Sequence, residues 1–214
     1  MPWEPFDPVS YYLHVVTGIA AALAGLTALT TRKGTQPHIL AGRIFAGCMA
    51  VAAITTMVFM VEQPVGIAAF AALLSVYLIG TAILTIRRHR VSARGLDGLF
   101  LAGGAALVLF LLRLMWVLRT EFPERLPVLG VFVALVVALL AGDIRRLHGA
   151  EASPTAVIRR HLMRMCLAFA VAMTAATVTN QVRLGLSAPV AILGPFLVMS
   201  LVGGAFWLRQ GRER

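Results

Sequence analysis

The sequence predicts an all-α fold: a polytopic bundle of seven transmembrane helices, with the N-terminus outside and the C-terminus cytoplasmic. Three observations lead there. Of the 214 residues, 59% are hydrophobic and only 13% charged, about half the charged share of a soluble domain. Seven stretches reach the ~20 mostly apolar residues that a spanning helix needs. The 19 Lys and Arg fall mainly in alternate loops, the bias of cytoplasmic loops.

The stretch from Tyr11 to Val61 organises the rest. An apolar run, Tyr11–Thr30, leads into a basic turn, Thr31 to Pro37. His38-Ile39-Leu40-Ala41-Gly42-Arg43 then opens a second apolar run that ends at Val61. The remaining spans are Val65–Ile86, Leu96–Leu118, Pro127–Leu147, His161–Val182 and Ala188–Leu208. The fifth is the weakest, because Asp143, Arg145 and Arg146 crowd its end. A tight Glu62-Gln63-Pro64 turn separates helices 2 and 3. Residues 1–214 leave no room for a soluble domain, so one transmembrane domain is expected.

The N-terminal Met1-Pro2-Trp3-Glu4-Pro5-Phe6-Asp7-Pro8 is acidic and Pro-rich, without the basic n-region of a cleaved signal peptide. The first apolar run is therefore expected to persist as a helix. Cys48 and Cys166 both lie inside apolar runs and read as small buried thiols, not as a disulfide framework.

Orientation follows from the arginines. Arg113, Arg119, Arg125 and Arg183 fall on the side of the N-terminus. All other Lys and Arg fall on the opposite side, which is therefore cytoplasmic, in a bacterial plasma membrane. The net charge of +10 comes from this bias. No basic stretch belongs to a nucleic-acid-binding module, so nucleic acid is excluded as a partner. The bilayer itself is the expected partner, and the Arg-rich inner loops should attract anionic lipid head groups.

Close approach of small residues matters for helix packing in lipid. Helix 1 lines up His14, Gly18, Ala21, Gly25 and Ala28. Helix 2 lines up His38, Gly42, Ala46, Ala50 and Ala53. Helix 4 lines up Gly98, Ala102, Ala106 and Arg113, and helix 6 His161, Met165, Ala168, Ala172, Ala175 and Thr179. In each case a polar residue shares the small-residue face. It is expected to point into the bundle.

Ionisable groups inside a membrane are costly and mark function. An outer layer contains His14, Arg113 and Asn180, with Gln181, Arg183 and Glu62 nearby. Arg113 either snorkels to the interface or faces His14 and Asn180 and binds an anion. An inner layer contains His38, Arg43, Asp97, Asp143, His161 and Arg164. His38 and His161 each open a helix running outward, which places them at similar depth. Neutral imidazole is a ligand for zinc, copper, iron and haem. Asp143 would be a third ligand or would orient a histidine. His89 and His148 lie in Arg-rich loops and read as solvated.

Several sharper assignments fail. The sole lysine, Lys33, lies in a loop, so no retinal Schiff base is expected. Two bis-histidine haems would need a histidine pair at each depth, and the outer layer has only His14. One inner haem between His38 and His161 remains open. No H-E-x-x-H, Gly-rich phosphate loop or G-x-S-x-G elbow occurs.

The run Leu13-His14-x3-Gly18, then Arg32-Lys33-Gly34-x3-His38-x3-Gly42-Arg43, with the later His161-x2-Arg164-Met165, resembles a family of bacterial inner-membrane proteins of unknown function. The resemblance covers helices 1, 2 and 6. It implies a multi-pass membrane protein in which His14, His38, Gly42, Arg43, His161, Arg164 and Met165 are the positions of interest, and it implies no activity.

The expected function is binding or transport of a small ligand, a metal, haem or anion. Its site is a cytoplasmic-side polar cavity lined by His38, Arg43, Asp143 and His161. The alternatives are a metal- or haem-dependent enzyme acting on a lipid or quinone, and a structural partner in which the histidines only cap helices.

Overall fold

The computed structural model describes residues 8–62, 66–87, 94–148 and 153–212. These form seven α-helices and one 3-10 turn: α1 (Pro8–Thr30), α2 (Gln36–Glu62), α3 (Gly66–Arg87), α4 (Arg94–Leu118), the turn Pro123–Arg125, α5 (Leu126–Leu147), α6 (Pro154–Thr179) and α7 (Ala188–Arg212). No strand occurs among the described residues. All seven helices are long and apolar enough to cross a membrane. The expected turn after Glu62 and the loop holding His89 lie outside the described residues.

Six of the helices start within a few residues of where the apolar runs place them. The sixth does not. It starts at Pro154, two turns before His161. Ser153 is its N-cap and accepts a hydrogen bond from the Ala156 amide at 3.2 Å. Pro154 takes the first helical position, where a missing N–H costs nothing. Arg159 and Arg160 are thus helical residues and not loop residues, and His161 lies in the second turn of the helix and not at its start. Between α1 and α2 the chain turns through Gly34 at φ +83°, a left-handed conformation that a β-carbon disfavours. Lys33 Nζ donates to the Ala28 and Leu29 carbonyls, both at 2.8 Å. It closes the end of α1, where the dipole favours a cation.

Helices α3 and α6 form the centre. Helix α6 packs against α1, α3 and α7, while α3 also meets α2 and α4, and α5 packs on α4. From Leu162 to Val171, α6 is buried at nearly every position. Phe70, Phe132 and Phe196 stack edge to face across α3, α5 and α7, with centroids 5.4 and 5.0 Å apart, a favoured aromatic geometry. The outer surface is apolar: α1 alone presents Val16, Ile19, Leu23 and Leu26. Such a continuous exposed apolar surface suits lipid.

Pro195 lies inside α7. Its missing N–H frees the Ala191 carbonyl one turn earlier. Thr177 of α6 donates to that carbonyl at 2.6 Å, and Thr174 donates to Ile192 O at 3.2 Å. Neighbouring hydroxyls satisfy the broken ladder, as an apolar medium requires.

The small-residue faces divide. On α1 the expectation holds: Ala21 and Gly25 are buried, and a β-carbon on Gly25 would overlap the Phe169 ring. On α2 the buried face is rotated by about one position, to Ala41, Phe45, Met49 and Ala52; of the expected stripe Ala53 is buried and Ala50 is exposed. On α4 the expectation is overturned. Gly98, Ala102, Ala106 and Arg113 all face outward, while Asp97, Gly104, Leu107 and Leu111 are buried. The contact with α3 and α5 is made by Leu107, Leu111 and Gly104, where a β-carbon would lie 2.7 Å from Leu140 and 3.0 Å from Tyr77, so the packing face is a different one from the expected small-residue stripe.

Candidate functional site

The N-termini of α2, α4 and α6 gather at one end of the bundle, with the C-termini of α3 and α5. This is the arginine-rich end. Helix α3 contributes Tyr77, Thr81 and Thr85, spaced by four residues and therefore on one face. All three are buried. Helix α5 contributes Asp143 and Arg146, and α6 contributes Arg160, His161 and Arg164.

Asp143 is the hub. Its Oδ1 accepts from Arg164 Nη2 at 2.8 Å and pairs with Arg160. Its Oδ2 accepts from the Tyr77 hydroxyl. Arg164 reaches further: Nη1 donates to Thr81 Oγ1 and Nη2 to the Leu139 carbonyl at 3.3 Å. Its guanidinium carbon lies 5.3 Å from the centre of the Tyr77 ring. Arg160 Nη1 donates to the Gly142 carbonyl at 3.1 Å. Beside this cluster, Arg146 pairs with Asp97 of the first turn of α4. All five charged side chains are more than nine-tenths buried. Charges survive out of water only when paired and hydrogen-bonded, and here each one is paired. Three guanidiniums against two carboxylates leave one positive charge in excess. Arg146 Nε and Nη1 are buried without a hydrogen-bond partner among the described residues.

The two inner histidines lie near this cluster but bond elsewhere. His38 Nδ1 donates to the Ala28 carbonyl at 3.0 Å. His161 Nδ1 donates to the Ala82 carbonyl at 3.1 Å. A carbonyl can only accept, so each Nδ1 carries the proton and, in the neutral ring, the lone pair is on Nε2. Neither Nε2 has a hydrogen-bond partner among the described residues. Phe45 and Phe169 bring α2 and α6 together, with ring centroids 6.1 Å apart. Each histidine lies about two turns before that contact, roughly 10–12 Å along its helix, so the two are at matched depth.

Two expected members of this layer are placed otherwise. Arg43 is exposed on α2 and lines no inner cluster. Asp143 is not available as a metal ligand, because both oxygens are taken by Arg160, Arg164 and Tyr77. Among the described residues no three His, Cys, Asp or Glu side chains gather in a way that would hold a metal. Among the described residues, a metal centre here would rest on the two imidazoles alone.

The outer layer does not assemble. His14 Nδ1 donates toward the Ala52 carbonyl at 3.2 Å and lies 3.0 Å from Thr55 Oγ1, tying α1 to α2. Asn180 ends α6 and donates to the Ala176 carbonyl of its own helix at 2.9 Å. Arg113 is exposed on α4, which fits snorkelling to an interface. The three side chains thus serve three separate places.

Sequence reasoning passed over Tyr77, Thr81, Arg146 and Arg160. A signal for the arginines existed. Asp97 and Asp143 sit inside or beside apolar spans, and a buried carboxylate needs a cation. No family model, curated protein or solved structure matches this chain.

Proposed function

We propose that this is a multi-pass protein of a bacterial plasma membrane, C-terminus cytoplasmic, that binds haem or a transition-metal ion between His38 and His161. The charge asymmetry of the loops supports the orientation. The carrying observation for the ligand is the shared state of the two imidazoles. Each is fixed by an Nδ1–H bond to a backbone carbonyl of a neighbouring helix. Each keeps an Nε2 lone pair that no described residue uses. That outer-sphere carbonyl bond is the arrangement by which proteins orient histidine ligands and raise their basicity. His38 and His161 would together hold one haem iron. For a free metal ion they leave positions open to exogenous ligands, which suits a protein that takes up and releases its cargo.

The test is a visible spectrum and elemental analysis of the detergent-purified protein, followed by titration with haemin, Zn²⁺ and Cu²⁺. A Soret band or about one metal per chain is expected, lost in both His38→Ala and His161→Ala. Size-exclusion chromatography checks that the variants fold. A protein that binds none of the three, or variants that bind as the parent does, overturns the proposal and leaves the histidines as straps between helices.

A further inference from the structure

We infer that the cleft between the start of α6 and the end of α7 is a binding site for a phosphate group, the head group of an anionic lipid or a free phosphate being the two sources. The cleft has a volume of about 390 Å³ and is lined by Ser153, Thr155, Arg159, Arg160, Met163 and Trp207, with Ala156 at its back. It is separate from the histidine pair and rests on the membrane assignment alone.

Its chemistry is one-sided. The described lining holds two guanidiniums and two hydroxyl side chains, and no carboxylate. The Arg159 guanidinium carbon lies 4.2 Å over the Trp207 ring, a stacking that Arg favours. Its Nε is buried and has no hydrogen-bond acceptor among the described residues. A guanidinium held flat with unused donors is built for bidentate bonds to phosphate oxygens. Arg160, whose side chain is 8% exposed, anchors the floor through its pair with Asp143. The first turn of α6 adds to this. Ser153 Oγ takes the Ala156 amide and the Ser153 carbonyl takes Val157 N. Pro154 has no N–H, and the Thr155 amide is left as an orphan donor of a 26-residue helix. Trp207 and Met163 supply the apolar wall, and tryptophan favours the level of the head groups. The volume falls in the range of small-molecule sites, about 300–1,000 Å³, so a phosphate fits with the glycerol or sugar that carries it.

The experiment uses the full chain in neutral detergent and follows tryptophan fluorescence. The probes are dihexanoyl phosphatidylglycerol, dihexanoyl phosphatidylcholine and inorganic phosphate. Saturable binding of the anionic lipid is expected, with Arg159→Gln weakening it about tenfold or more, the loss of a charge-assisted bond pair. Thr155→Val, which touches no ion pair, should keep the fold and weaken binding less. Binding of inorganic phosphate as tightly as the lipid assigns the site to the free anion. Tighter binding of the anionic lipid than of either other probe assigns it to the head group. No saturable response to any anion, or an Arg159→Gln variant that binds like the parent, overturns the inference.

Discussion

Arg164 Nη2 of α6 and Asp143 Oδ1 of α5 meet at 2.8 Å in a part of the bundle where their side chains are only 3% and 6% exposed. The carboxylate is shared with Arg160 and Tyr77. It therefore joins α3, α5 and α6 at one point. Removing Asp143 would strand two guanidiniums in an apolar interior, which costs about 3–5 kcal/mol. Asp143→Ala is expected to lower the thermal midpoint strongly, or to abolish folding, by far-UV circular dichroism in detergent. Tyr77→Phe removes one hydrogen bond and leaves the ion pairs, a loss of about 1–3 kcal/mol. Equal losses in the two variants would show that the carboxylate is not the hub.

A second expectation contrasts two glycines on one face of α1. A β-carbon on Gly25 would lie 2.6 Å from Phe169 Cε2, closer still to Cδ2 of that ring, and 3.2 Å from Phe45. Both rings are themselves buried, so they have little room to turn aside. Gly25→Ala should destabilise by about 1–3 kcal/mol, and Phe169→Leu in the same chain should recover part of it. A β-carbon on Gly18 would meet nothing within 4 Å. Gly18→Ala should be neutral or stabilising by up to about 1 kcal/mol. Equal melting of both single variants would count against the close α1–α6 packing.

Much of the fold was legible because apolar run length is a strong signal in a chain this poor in charge. The start of α6 was not. Arg159 and Arg160 look like the end of a loop, and His161 like the first residue of a helix, until their partners are known, and Asp143 and Ala82 become visible only once α3 and α5 pack beside them. The true start is marked in the sequence only by the short signal Ser153-Pro154, and basic residues follow it. The site was legible in half. His38 and His161 could be paired by depth, since depth follows from counting residues along a helix. The fate of Arg43 and Asp143 could not, since it depends on helix rotation. One position of rotation turns a side chain by about 100°, and on α2 that sufficed to expose Arg43.

An odd number of crossings puts the two ends of the chain on opposite sides of the bilayer. Epitope tags at each end, tested for protease access in intact and permeabilised cells, should give an accessible N-terminal tag and a protected C-terminal tag before permeabilisation. Two tags with the same accessibility would rule out seven crossings. A protected N-terminal tag with an accessible C-terminal one would keep seven and reverse the orientation.

The Asp97–Arg146 pair carries the last expectation. Both side chains are at most 5% exposed, and Arg146 spends its remaining Nε and Nη1 donors on nothing among the described residues. The pair is thus desolvated without full compensation. A buried pair of this kind is worth little against an apolar pair of similar volume, although breaking it from one side is severe. Asp97→Leu should therefore cost about 3–5 kcal/mol, since it leaves a buried unpaired cation, and Arg146→Leu a similar amount. The double variant should return to the stability of the parent or exceed it by about 1–4 kcal/mol, a large positive coupling in a double-mutant cycle. Additive losses would mean that the pair is not the dominant partner of either residue. A double variant that is stable yet loses ligand would point to a different use of the charge. The excess cation at this end would then serve binding, and its retention despite the desolvation penalty would have a functional cause.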